Sequence, residues 1–263
     1  MKHQIRNFLI LLISVFGLAR VLRFVMRKKG PLVRVLCFHD VPDNDEFANL
    51  IHKLAHTCHF ITPDDFTVGN LKEDRINILL TFDDGYQSWI DVCLPVMVAN
   101  DLKGIFFFNS GLLDVVGQAE QESFVKEQLR VGERNTLDWL GAKKLVDCGM
   151  SIGGHSVSHH DLTKLDSQNL NDEVVSDKNR IMEKLNYEPV WFAYPFGTKD
   201  YYNDEIKDVV STHYKGAFTA ETGFLIVDKD RYELPRMCVE DNLSPTEVYR
   251  WIMGGYDIFS FLK

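Results

Sequence analysis

The strongest constraint on how this chain can fold is a series of short, nearly unbroken apolar runs separated by amphipathic stretches. After Gly30-Pro31 the runs fall at Val33 to Phe38, Ile76 to Phe82, Gly104 to Phe108, Met150 to Ile152, Val190 to Tyr194 and Gly216 to Thr219. Continuous apolar runs suit strands covered on both faces, and strands alternating with helical patterns build βα units around a parallel sheet. The chain's 263 residues can bury a sizeable core, and α/β barrels often fill this length as one domain, here residues 31–263. Between the runs, Thr136 is placed to cap a helix on which Leu137, Leu140, Leu145 and Cys148 share a face, with Gly149 as its stop. A second helix follows Asp166. Its Leu170, Val174, Ile181 and Leu185 recur at helical spacing, while Asp172, Glu173, Lys178 and Glu183 cover the wet side. Residues 117–135 are polar and aperiodic, as expected of an inserted loop over one end of the sheet.

The first thirty residues differ from the rest. Lys2 and Arg6 precede an apolar stretch from Phe8 to Leu22, broken only by Arg20, and Arg23, Arg27, Lys28 and Lys29 follow. This pattern predicts a hydrophobic, membrane-directed helix within residues 1–30, contacting the membrane through residues 8–22. The stretch falls short of the roughly 20 residues that span a bilayer comfortably, so a signal peptide, a short anchor and an interfacial helix all stay open. Gly17 and Ala19 offer a small-x-small cleavage pattern. The basic residues from Arg20 to Lys29 favour a retained single anchor over a cleaved signal, because positive charge after an apolar segment tends to stay on the cytoplasmic side. The net charge is −9, and no Lys/Arg stripe lies beyond this segment, so the footprint of a nucleic-acid binder is missing. Cys37, Cys58, Cys93, Cys148 and Cys238 form no CxxC pair and read as buried thiols rather than a disulfide framework.

Chemistry enters where the run at Ile76 ends in Thr81-Phe82-Asp83-Asp84-Gly85-Tyr86. Side chains alternate along a strand, but a turn at Gly85 lets both carboxylates face the C-terminal mouth of a barrel. Like charges that close raise one pKa unless a cation stands beside them. A bound metal resolves the conflict, with Asp84 as ligand and Asp83 as a base beside a polarised water. A helix N-cap would account for one acid but not for the pair. A second cluster, Gly153-Gly154-His155-Ser156-Val157-Ser158-His159-His160, also follows a short strand. Histidines four apart share one face of a helical turn and can reach one ion, and imidazole suits zinc, iron, nickel and cobalt. His160 would then face elsewhere.

These two clusters, followed by Phe192-Ala193-Tyr194-Pro195-Phe196-Gly197, resemble the ordered motifs of the polysaccharide deacetylases with a NodB homology domain, carbohydrate esterase family 4. The resemblance covers about residues 33–250. It implies a distorted (β/α) barrel of about seven parallel strands. It also implies one divalent metal, zinc by preference with cobalt, nickel or iron also suited, held by Asp84, His155 and His159, and Asp83 as catalytic base. The implied reaction removes N-acetyl groups from amino sugars of a polysaccharide or lipid-linked glycan. Two departures matter. No histidine follows His213, where the family usually carries its acid in an LxH, and Leu36-Cys37-Phe38-His39-Asp40 resembles the N-terminal element that supplies it in the circularly permuted poly-N-acetylglucosamine deacetylases, which makes His39 the acid. Ala193 stands where many members have the arginine that orients the base, and Leu234-Pro235-Arg236 resembles a late segment that would supply Arg236 instead. Tyr194, Pro195 and Phe196 would wall the sugar site, with Trp139 or Trp89 beside them. Two rival readings stand against the hydrolase: an inactive carbohydrate-binding or scaffold member of the same fold, and a non-haem iron oxygenase built on the two histidines and one carboxylate.

Overall fold

The protein was analysed as a computed structural model that describes residues 10, 17–115, 117–225, 230–240 and 243–257. The apolar runs become β1 (Leu32–Phe38), β3 (Ile76–Asp84), β4 (Gly104–Phe108), β5 (Ser151–Gly154), β6 (Trp191–Ala193) and β7 (Gly216–Phe218). Two further short strands, β2 (Cys58–Phe60) and β8 (Met237–Cys238), lie outside those apolar runs. Every pairing is parallel, in the order β7-β6-β5-β4-β3-β1-β8. β3 has β1 along one edge, while its other edge takes β2 at Ile76–Ile78 and then β4 from Leu80 onward.

The two ends of this sheet are brought together by one length of chain. Leu234 donates its N–H to Ala217 (3.0 Å) and accepts from Thr219 (2.8 Å), both at β7. Three residues later Met237 and Cys238 pair with β1. The result is a distorted α/β barrel whose path takes seven parallel strands, with β2 beside β3, as the family resemblance implies. Alternation along the strands sorts its core. Val33, Val35, Leu79, Ile105, Phe107, Ala193 and Phe218 fill the interior, while Leu36, Ile78, Leu80, Phe82 and Phe106 face outward beneath the helices.

Helix starts follow local capping. Asp43, Asp138, Asp166 and Asn203 each accept a backbone N–H three residues on, and Thr62 and Ser244 form capping boxes ahead of Pro63 and Pro245. Two expectations need correction. The cap of the helix Trp139–Asp147 is Asp138, not Thr136, and Leu140 lies 79% exposed rather than on the buried face. Thr136 instead forms a β-bridge to Tyr86, which moves the helix start two residues on. Residues 117–135 are not merely a loop. They hold a helix, Gln118–Phe124, running into a wider π-helical turn, Val125–Leu129. Only Val125 and Leu129 are buried there, too few apolar residues to register as a period.

A helix, Leu18–Arg27, precedes β1 and packs on the turn Trp251–Gly255, with Arg23 donating to the Met253 carbonyl. Its outer side exposes Leu18, Val21, Phe24 and Val25. Most of the apolar stretch expected at residues 8–22 lies outside the described residues, and among the described residues no helix is long and apolar enough to cross a membrane.

Candidate active site

The C-terminal ends of the strands surround a cavity of about 550 Å³, within the usual range of small-molecule sites. β3 delivers two carboxylates to it. Asp83 continues the inward series of Leu79 and Thr81. Asp84 should point outward, but its φ of 85° and the φ of 97° at Gly85 turn the strand end, so that both side chains line the cavity. A left-handed conformation at a residue with a side chain is unfavourable and is held by the surrounding structure.

Asp83, 3% exposed, is clamped by Arg236 from the segment between β7 and β8. Arg236 Nη1 donates to Oδ1 at 2.7 Å and Nη2 to Oδ2 at 2.6 Å. The guanidinium is itself oriented through Nε, which donates to the Thr219 carbonyl at 2.9 Å. Burial alone would push the Asp83 carboxyl up, but the charge of Arg236, with His155 and His39, holds it below the usual carboxylate range. This keeps Asp83 ionised inside the protein.

Asp84 lies against two imidazoles. Its Oδ1 is 3.4 Å from His155 Nε2 and 3.6 Å from His159 Nε2, and Oδ2 accepts the Tyr86 hydroxyl at 3.0 Å. The other ring nitrogens are engaged: His155 Nδ1 with the Ala193 carbonyl at 2.7 Å, His159 Nδ1 with the Gln128 carbonyl at 3.2 Å. With Nδ1 as the donor in each ring, Nε2 is the atom left to take a cation beside Asp84, the arrangement in which outer hydrogen bonds fix metal-ligating histidines. Burial drives His159 down to about 4, which favours the neutral ring a ligand requires. The ligand atoms of Asp84, His155 and His159 all lie within 4.8 Å of one another and all three residues are buried. This donor set of one carboxylate and two imidazoles therefore fits one divalent cation. The sequence rationale of a shared helical face does not hold, however. Residues 155–159 form an irregular loop in which Ser156 and His159 take φ of 65° and 53°, and these turns bring the rings together. His160 points away, toward Glu173 at 3.4 Å.

His39, just past β1, lines the same cavity. Its carbonyl accepts the Trp89 indole N–H at 2.9 Å. Burial lowers its pKa, but Asp84 and Asp83 more than offset this and raise it above the ordinary histidine value. Tyr194 and Phe196 also line the cavity, Phe196 with its ring edge-on to His159 at 4.6 Å and the Arg130 guanidinium 4.5 Å above it. Pro195 is buried and not among the lining residues. Trp139 does not reach the cavity, because its N–H is held by Asp114 at 2.8 Å and its ring packs edge-on to Phe108. Trp89 is wholly buried beneath it.

Several functional neighbours went unnoticed in the sequence. Leu129, Val131 and Arg134 reach the cavity from residues 117–135, where a rim was expected, and Arg134 is paired with Asp40 at 2.8 Å. Asp177, fully buried, accepts the backbone N–H of His155 at 3.0 Å and of Ser110 at 3.1 Å. Its signal was available: residues 170, 174, 177 and 181 form one helical stripe, and an acid in an apolar stripe calls for a partner.

The profile of the family described as polysaccharide deacetylase matches residues 70–215 of this chain. The Bacillus subtilis protein YxkH is 26% identical over 168 residues, which cover 64% of this chain and 53% of YxkH. The chain spans about a third to about a half of the length of the curated relatives it matches. Among solved structures, the Streptococcus pyogenes deacetylase PplD in complex with acetate superposes with a TM-score of 0.67 at 21% identity, over 83% of this chain and 97% of that one. IcaB from Ammonifex degensii gives 0.66 at 21% identity, over 86% and 98%. At such identities the likeness shows the fold. His39 and Arg236 lie outside the matched residues 70–215, so their inclusion rests on where the strands place them.

Proposed function

Since the chain belongs to the polysaccharide deacetylase family, we propose that it is a metal-dependent hydrolase removing N-acetyl groups from amino sugars of a polysaccharide or lipid-linked glycan. The observation that carries this reading is the meeting, in one cavity, of an ionised carboxylate clamped by Arg236 with a separate carboxylate and two imidazoles sharing a centre. Asp84, His155 and His159 would hold the cation, zinc by preference. When bound, such an ion polarises an acetamide carbonyl and lowers the pKa of a water.

The chain's own groups supply the proton transfers. Asp83 takes a proton from the attacking water, and Arg236 keeps it ionised and aimed for that task. His39, biased toward its protonated form by the two carboxylates, gives a proton to the amine as the C–N bond breaks and acetate leaves. Tyr194 and Phe196 form part of the wall that receives the sugar. A membrane contact through residues 8–22, to which the exposed Leu18 and Val21 of the helix Leu18–Arg27 would belong, would make a surface or lipid-linked glycan the substrate.

The test is acetate release from a panel of N-acetylated glycans, with and without chelator and with metal restored. Chelator-sensitive release is expected. A protein inert on every member of the panel would overturn the hydrolase reading in favour of a carbohydrate-binding one.

A further inference from the structure

The proposed chemistry uses carboxylates, imidazoles and a guanidinium, and leaves two thiols beside the base without a task. Cys37 on β1 and Cys238 on β8 are register partners in neighbouring parallel strands, so their side chains leave the sheet on one face. That face is the barrel interior, since Val33 and Val35 on the same side of β1 pack there. Cys37 is fully buried, and its thiol donates to Oδ2 of Asp83 at 3.4 Å. Cys238 is only partly buried and lines the cavity. The two thiols lie close enough to act on each other's titration.

An accessible sulfur with a shielded second sulfur against it is the arrangement of a thiol that reacts and a thiol that resolves. Neighbouring strands run about 4.8 Å apart, inside the range of roughly 4.4–6.8 Å between Cα atoms that a disulfide bridges. Register partners at this spacing are therefore within Cα reach of a disulfide. The surroundings favour the required charge. The neighbouring Cys37 thiol, with His39 and Arg236 against the effect of burial, lowers the Cys238 thiol, while burial pushes Cys37 up. Cys238 is thus the sulfur that meets an oxidant.

We propose that Cys37 and Cys238 form a peroxide-sensitive dithiol whose oxidation to a disulfide slows turnover at the adjoining base. The Cys238 thiolate attacks hydrogen peroxide. An S–O bond forms, the O–O bond breaks, and the departing hydroxide takes up a proton as water, leaving a sulfenic acid. Cys37, giving up its proton, attacks that sulfur. The S–S bond forms, the S–O bond breaks, and a second water leaves. The two thiols lose two electrons in all, and peroxide is reduced to two waters. In the disulfide Cys37 can no longer donate to Asp83, while the Arg236 clamp persists. Turnover is therefore reduced about tenfold, the scale of one hydrogen bond to a charged group, rather than abolished.

The effect on turnover rests on the hydrolase reading; the disulfide does not. Metal-loaded full-length protein is treated with hydrogen peroxide, alkylated and digested with trypsin without reductant. The expected product joins peptides 35–53 and 237–250, which carry Cys37 and Cys238. Acetate release should fall in parallel, and dithiothreitol should restore both. In Cys37→Ser and Cys238→Ser, each compared with its own untreated rate, the cross-link and the peroxide response should both disappear. Peptides that stay unlinked overturn the proposal, as does a cross-link that leaves the rate unchanged. If the untreated protein releases no acetate from any glycan, the hydrolase reading fails separately, and the mass measurement alone decides the dithiol.

Discussion

Asp83 and Asp84 are neighbours in the chain with opposite assignments, and the difference lies in what surrounds each. Asp83 meets a guanidinium that grips both its oxygens, whereas Asp84 meets two imidazoles whose far nitrogens are already occupied. Replacing the first should affect proton transfer and replacing the second should affect metal retention. In Asp83→Asn we expect acetate release to fall by about 10²- to 10⁴-fold, the usual contribution of a positioned base, with bound metal unchanged by elemental analysis. Unimpaired release would remove Asp83 from the chemistry. Asp84→Asn should instead lose metal, and a variant that keeps full metal occupancy would show that the ligand set is wrong. Arg236→Lys retains the charge but not the planar fork, so it should lower the rate by about 10- to 100-fold. A lysine variant as fast as the parent would reduce Arg236 to a mere counter-charge.

At the scale of elements, β5 carries the histidine loop, and its two glycines set how closely it sits. A Cβ on Gly153 would lie 2.2 Å from the Phe107 ring and 2.9 Å from the Trp191 carbonyl, and one on Gly154 would meet the Tyr214 hydroxyl at 2.3 Å. Gly153→Ala should therefore destabilise the fold by about 1–3 kcal/mol, as overpacking does, read from the denaturant midpoint; an unchanged midpoint would mean that Phe107 yields freely. On the other side of the loop, Asp177→Asn turns one of two acceptors into a donor facing a backbone N–H, at a cost of about 1–3 kcal/mol. This part of the molecule shows what the sequence discloses and what it withholds. The strands were legible because parallel strands buried on both faces leave apolar runs, and the acid pair and the two histidines were legible because they follow such runs. The path from His155 to His159 was not, because a loop with two left-handed residues has no period, and the expected helical turn was wrong. Trp139 was misplaced for a related reason: an aromatic near a site in sequence says nothing of which way its helix turns. Asp177 was readable, as a charge in an apolar stripe, but its partners are backbone groups that no side-chain pattern reveals.

Across the whole molecule, the barrel separates a chemical end from a structural one. At the C-terminal mouth, buried charges lie around a site suited to a cation. If that cation binds the folded state alone, a hundredfold excess over its Kd adds about 2.7 kcal/mol of stability, so chelator should lower the melting temperature of the parent and leave that of His159→Ala nearly unmoved. Toward the other end of β1, Arg34 is fully buried on the outer face, with Asp257 held at 2.5 and 3.0 Å and the Phe224 ring 3.5 Å from its guanidinium. This pair fastens the segment after Trp251 to the strand that also carries Cys37 and leads to His39. A buried pair of this kind adds little over a well-packed apolar substitute, yet losing one member strands a charge. Asp257→Ala should therefore cost about 3–5 kcal/mol, whereas the double change Arg34→Met with Asp257→Leu should recover most of that loss. Equal instability of the single and the double variant would mean that the ion pair itself, rather than the relief of a stranded charge, holds the C-terminal segment in place. Because the pair lies several residues down the strand from the cavity, the double variant should also keep the parent's acetate-release rate. A large fall in that rate would show that the two ends of the barrel are coupled.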